Sequence, residues 1–319
     1  MSLKERQSHF ITEVVAKNLL LANSPSYRAL YRRTVLIRRA AEFIVTLILT
    51  FGGQQFLIQN QFFSPVWTAS GVALSAVFLR GPYVLGGVFL GTLASYLVNH
   101  MGLTFAFSQS LLLTLYIAVL RQLALRWIGA VTPIFTLTVF WKFFVLIALV
   151  SGLHVILLLK LFVGNYVFVP TLYHWFIGWI GEMNGILCLT PLCLIFDPFV
   201  PSRYFHKEAW PWWLSALSII GLHSFYFILP AGISSMVFSL LLLGILCWYA
   251  YTFGQIPTCF TLLGMSVIYF SGAVSPSHLF HVTSTEVDIM VSISMLTISA
   301  LVSLSVATYR QKLIKHDLL

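Results

Sequence analysis

The residue most suited to chemistry is Glu182. It lies in Trp175-Phe-Ile-Gly-Trp179-Ile-Gly-Glu182-Met-Asn184-Gly185, within a run that is apolar from residue 171 to 196. A carboxylate at mid-bilayer costs at least about 2.5–3.5 kcal/mol on insertion scales, so it should face a bundle interior and have a partner there. Helical spacing sets Trp175, Gly178, Trp179, Gly185 and Leu189 on the face of Glu182. The glycines admit a neighbouring helix, and the tryptophans could wall a cavity. Pro191 removes a backbone hydrogen bond further along, where a kink could open space. Such a group suits ligand sensing, proton sensing or transport. The alternative is a Glu that ties helices together and binds nothing. Its candidate partners are His223, His154 and Asn184.

Other polar side chains carry less. His100, His174, His278, His281, Glu286 and Asp288 gather at one set of span ends, and His278 and His281 are spaced to be neighbours on a helical turn. Two histidines without a third fixed ligand make a poor metal site, and solvated loop residues are the expectation. Cys188, Cys193, Cys247 and Cys259 all fall in apolar runs and are expected to be packing residues. There is no His-Glu-x-x-His zinc motif and no phosphate-cradling glycine loop. No catalytic residue, metal or cofactor is assigned, and the chain is not read as an enzyme.

The elements that hold Glu182 follow from composition. Of 319 residues, 59% are hydrophobic and 8% charged. A soluble globule carries about 25% charged residues, so this chain could not solvate its own surface in water. It reads as an all-α, polytopic transmembrane helical bundle; a soluble enzyme, a nucleic-acid binder and a disulfide-built secreted domain are excluded. A span needs about 20 mostly apolar residues. Runs occur at 41–58, 65–79, 83–98, 103–125, 141–159, 171–196, 210–229, 233–251, 257–271 and 289–308. The second, third and ninth are short, so the range is eight to ten spans, with ten preferred and re-entrant hairpins as the alternative for short pairs.

The net charge of +9 reflects position more than a binding patch. Eight of the eighteen Lys and Arg precede residue 40. With ten spans and the amino terminus in the cytoplasm, Arg80, Arg121, Arg126, Arg203, Lys207, Arg310, Lys312 and Lys315 all fall inside, and Lys160 falls outside. That asymmetry obeys the positive-inside rule and puts both termini in the cytoplasm. The chain divides into a basic amino-terminal segment (1–40), an integral-membrane region (41–308) and a short basic tail (309–319). Residues 5–21 show helical spacing of Phe10, Ile11, Val14, Val15 and Leu19, as in a helix lying on the membrane surface and touching its lipids.

Two segments resemble a known family. Phe63-Ser-Pro65-Val-Trp67-Thr68-Ala69-Ser70-Gly71-Val-Ala-Leu74 leads to Arg80-Gly81-Pro82 and Leu85-Gly-Gly87-Val-Phe-Leu-Gly91. This is similar to the Trp-Pro-x-x-Gly-x-Ala opening and glycine-spaced helix of the first membrane-associated sensor family (MASE type one). Trp179-Ile-Gly181-Glu182-Met-Asn-Gly185-Ile-Leu-Cys-Leu-Thr-Pro191-Leu192 resembles that family's Gly-Asp-x-x-Gly-x-x-x-x-x-Pro segment. Thr68 stands where the family has Pro, and Glu182 where it has Asp. The resemblance implies an integral-membrane sensory region of the kind found in bacterial signalling proteins, and it adds Trp67 and Gly71 to the candidate site.

The expected function is therefore an inner-membrane sensory module. It would detect an unknown small ligand, or a membrane or proton state, and pass the signal to a separate signalling or membrane partner protein. The ligand-binding candidates are Glu182, Trp67, Gly71, Trp175, Trp179, Asn184 and His223. No output domain follows residue 319, so either the region signals through another polypeptide or the chain is part of a longer one. A secondary transporter using the mid-membrane carboxylate is the alternative, and a purely structural assembly partner is a third.

Overall fold

The computed structural model describes residues 25–58, 66–129, 136–165, 171–195, 210–226, 233–274 and 286–317. The surface helix expected at 5–21, and His278 and His281, lie outside them. The described residues form ten α-helices and one 3-10 turn, with no strand among them. In chain order the helices are α1 (Pro25–Ile58), α2 (Thr68–Arg80), α3 (Leu85–Val98), α4 (Leu103–Trp127), α5 (Leu137–Asn165), α6 (Leu172–Ile195), α7 (Trp210–Tyr226), α8 (Ile233–Phe253), α9 (Gln255–Val274) and α10 (Glu286–Asp317). Each coincides with one of the ten apolar runs. Helix α1 begins well upstream of its run, and α10 continues into the basic tail. The chain divides into two compact units, Met1–Val45 and Thr46–Leu319. In the first, Arg38 Nε donates to Glu42 Oε1 at 3.0 Å, one helical turn apart. All that follows concerns the second.

Among the described residues, four segments are long and apolar enough to cross a bilayer unaided: Leu103–Trp127, Leu137–Leu161, Leu172–Leu194 and Ile293–Arg310. Helices α2 and α3, of 13 and 14 residues, are too short to cross alone: at 1.5 Å per residue they reach about 20 Å. Gly81, at φ +97°, and Pro82 make the turn between them.

The helices are amphipathic in an inverted sense. On α4 the exposed apolar side chains include Leu103, Phe107, Leu111, Leu115, Val119 and Leu123; on α5 they include Trp141, Val145, Leu149, Leu153 and Leu157. Both sets repeat every fourth residue, so each is one continuous stripe that winds slowly round its helix. The opposite faces bury Gln109, Ser110 and Tyr116 on α4, and Ser151 and His154 on α5. Apolar stripes turned outward with hydroxyls and amides turned inward are stable only where the solvent is lipid.

Helix α6 is the centre of the bundle. It packs against α2, α5, α9 and α10. Over its apolar segment 83% of residues are buried, against 44% in α4 and in α5, which marks it as the helix farthest from lipid. Around it, α4 bridges α3 and α5, while α7, α8 and α9 pack on one another.

Candidate functional site

The site begins with a close approach of two helices. The backbone N–H of Trp67, the residue preceding α2, donates to the carbonyl of Gly181 on α6 at 2.9 Å. Below this bond the two chains nearly touch. A Cβ on Gly185 would collide with the Trp67 carbonyl, and one on Gly71 with the Gly185 carbonyl. Thr190 Oγ1 also donates to the Gly71 carbonyl, at 3.2 Å. Gly71 and Gly185 are therefore the packing surface that lets α2 dock, and docking carries the Trp67 side chain in beside α5 and α6. Gly178 serves the α5 side in the same way, because a Cβ there would meet Val155 Cγ1 at 2.9 Å.

Glu182 is wholly buried, at 0% exposure, as expected for a group shielded from lipid and water alike. Of the partners the sequence offered, His154 meets it: Nδ1 lies 3.2 Å from Glu182 Oε2. His154 is buried too, and its ring is held on two sides. Tyr116 stacks on it with ring centroids 4.2 Å apart and planes 12° from parallel, and Trp67 stands edge-on at 6.5 Å and 86°. The Tyr116 hydroxyl in turn lies 2.7 Å from Ser151 Oγ, one turn before His154. Four elements thus converge: the entry to α2, then α4, α5 and α6. With one proton between them the His154–Glu182 pair carries no net charge, which is the inexpensive form of a buried acid and base.

Three polar atoms in this cluster have no partner at hydrogen-bonding distance, Glu182 Oε1, His154 Nε2 and Trp67 Nε1, and the Tyr116 hydroxyl is the other polar group beside the Glu182 carboxylate. A buried donor or acceptor left unmade costs about 1–3 kcal/mol. Gln109 Nε2 is likewise unpartnered, two turns before Tyr116 on the same face of α4. Among the described residues, no three His, Cys, Asp or Glu side chains come together as a metal ion would require.

Trp175, Trp179 and Asn184 stand apart from this cluster or serve its scaffold. Trp175 and Trp179 stack on each other at 4.9 Å, but their indole N–H groups are engaged by α5 carbonyls: Trp175 Nε1 to Gly152 at 3.1 Å and Trp179 Nε1 to Ala148 at 2.7 Å. They pin α6 to α5. Asn184 turns the other way, accepting from Thr297 Oγ1 of α10 at 2.9 Å. His223 lies on α7, which packs on α8 and α9, and its side chain is outside the described residues. All four cysteines are free.

Tyr116 and Ser151 were missed in the sequence. Their signal was there, since each is a polar residue opposite an unbroken lipid-facing stripe. Thr297 gave less warning, being one of many hydroxyls on its helix. Such hydroxyls commonly bond their own backbone, and Thr297 also does so to Ile293 at 3.1 Å.

Comparison with known proteins agrees with the architecture. A model of the MASE1 family matches residues 39–312, most of the chain, including both segments that meet at Trp67 and Gly181. No protein of curated function and no solved structure matches it. The matched span contains every helix of the cluster around Glu182, and the chain belongs to the MASE1 family of membrane-associated sensor domains.

Proposed function

We propose that this multi-pass membrane protein senses a small ligand beside Glu182 and transmits its presence through α10 to a separate signalling or membrane partner protein. The observation that carries the reading is the hydrogen bond from Thr297 to Asn184, two residues beyond Glu182 on the same helix. One side of α6 holds the buried acid and the other holds α10. A second polar clamp, from Gln255 Nε2 to Thr308 Oγ1 at 2.8 Å, grips α10 three turns later on the same face. A ligand that favours one arrangement of α6 would therefore bias the seating of α10, and it can act only through that difference in affinity.

The same reading places the protein in a bacterial inner membrane, crossed ten times with both ends cytoplasmic. Contacts between helix ends support the alternation. Arg121, assigned to the inside, donates to the carbonyl of Val77 beside Arg80, and a Cβ on Gly254 would meet the Arg310 guanidinium. Gln55 and Asn99, assigned to the outside, bond each other at 2.8 Å. Ends given the same side by charge touch one another.

Amide hydrogen exchange tests the relay. Glu182→Gln should change protection across Ile293–Thr308, and the change should be lost when Thr297→Val is added. Unaltered α10 protection in Glu182→Gln would overturn the relay.

A further inference from the structure

We propose that Glu182 Oε1, Trp67 Nε1 and His154 Nε2 form a recognition site for a small uncharged ligand bearing hydroxyl groups. This rests on the sensory reading of the Glu182 cluster and names the class of molecule it takes. Three features argue for it. The first is the set of unsatisfied atoms. Glu182 Oε1 asks for a donor and Trp67 Nε1 for an acceptor; with Nδ1 turned to Glu182 Oε2 and one proton in the pair, His154 Nε2 carries an N–H and asks for an acceptor too. A hydroxyl group is the smallest unit that both donates and accepts, so a molecule with one or more of them answers all three.

The second is charge. Glu182 is already paired through Oε2 with His154, and the pair is neutral when it holds one proton, so the cluster has no spare charge to balance an ionic ligand. Both side chains are almost completely buried, at 0% and 2% side-chain exposure, and an ion entering there would lose its hydration without compensation. The third is the surroundings. Trp67 packs with Val155, Leu158 and Leu159, with Leu112 and Trp175 beside them, and the His154 ring is stacked on Tyr116. Apolar and aromatic walls with a few unpartnered polar atoms among them suit the C–H faces and O–H groups of an alcohol or polyol.

The test uses the full chain in lipid nanodiscs with glycerol as the probe and glycerol 3-phosphate as its charged counterpart, read by saturation-transfer NMR. The wild type should give saturable transfer from glycerol and none from the phosphate. Trp67→Phe keeps an aromatic ring and removes the N–H, and should weaken glycerol binding about tenfold, the loss of one hydrogen bond. Glu182→Gln, which exchanges an acceptor-only group for an amide, should weaken it by a similar factor and serves should Trp67→Phe not fold. Three results would overturn the proposal: no saturable transfer, as when water alone meets these atoms; equal binding in wild type and folded variants; or phosphate binding as tightly as glycerol. None of these would touch the relay, whose own test is the α10 exchange response to Glu182→Gln.

Discussion

The docking of α2 on α6 predicts a sharp difference between glycines that look alike in sequence. In Gly185→Ala the new methyl would run into the Trp67 carbonyl, with the Trp67 carbonyl carbon 2.6 Å and nitrogen 3.1 Å away. This neighbour is backbone, fixed by its bond to Gly181, so it cannot rotate aside as a side chain would. Overpacking of this kind costs about 1–3 kcal/mol, and a backbone obstacle argues for the upper end. Alanine returns about 1 kcal/mol of helix propensity, leaving a net loss of about 2 kcal/mol. Gly244, on α8, is the control: nothing lies within 4 Å of the place its methyl would occupy, so Gly244→Ala should keep the gain of about 1 kcal/mol. The two variants should therefore differ by about 3 kcal/mol. At about 2 °C per kcal/mol, the low end of the scale for chains of 150–250 residues, their thermal midpoints in detergent should lie about 6 °C apart. Tryptophan fluorescence during heating reads both. Equal midpoints, or a stabilised Gly185→Ala, would mean that α2 and α6 do not meet through these glycines, and the placement of Trp67 beside His154 would fall with them.

Further outcomes follow from the site and the topology. His154→Ala leaves Glu182 buried without its base and should destabilise the protein by about 3–5 kcal/mol. The double variant with Glu182→Ala should lose less than the sum of the single losses, by about 0.5–3 kcal/mol, which denaturant unfolding of all four proteins measures; strict additivity would sever the pair. In the ten-span topology, the exposed positions Arg126 and Lys160 lie on opposite sides. Cysteines placed there in a chain lacking its four native thiols should react with an impermeant maleimide only from the cytoplasmic and the external side respectively. Labelling of both from one side would break the alternation.

Much of the helical framework was legible in the chain. Ten apolar runs became ten helices because a backbone in lipid must satisfy its own hydrogen bonds, so a long apolar segment has no alternative to a helix. Helix bounds were less legible. Apolarity marks the part that lipid can touch, whereas α1 and α10 keep helical hydrogen bonds into their basic flanks. Glu182 was found because a lone acid in such a run has to be explained. Gly71 and Trp67 were reached only through the family resemblance; nothing local shows that Gly71 will face a carbonyl or that the Trp67 N–H will bond Gly181. The tryptophans show the limit most plainly. Placed correctly on the face of Glu182, Trp175 and Trp179 nevertheless give their N–H groups to α5, because an indole donor in lipid takes the nearest free lone pair and helix carbonyls supply it.

Composition and periodicity alone determined that this protein is an α-helical membrane bundle with one acid at its centre, since transfer of charged and apolar groups between water and lipid depends on residue type and little on the rest of the fold. Only the tertiary structure decided which histidine pairs with that acid, which aromatic ring stacks on the pair and which helix Asn184 grips. Those choices rest on contacts between residues 28 to 113 positions apart, and their geometry exists only once α2, α4, α5, α6 and α10 have packed.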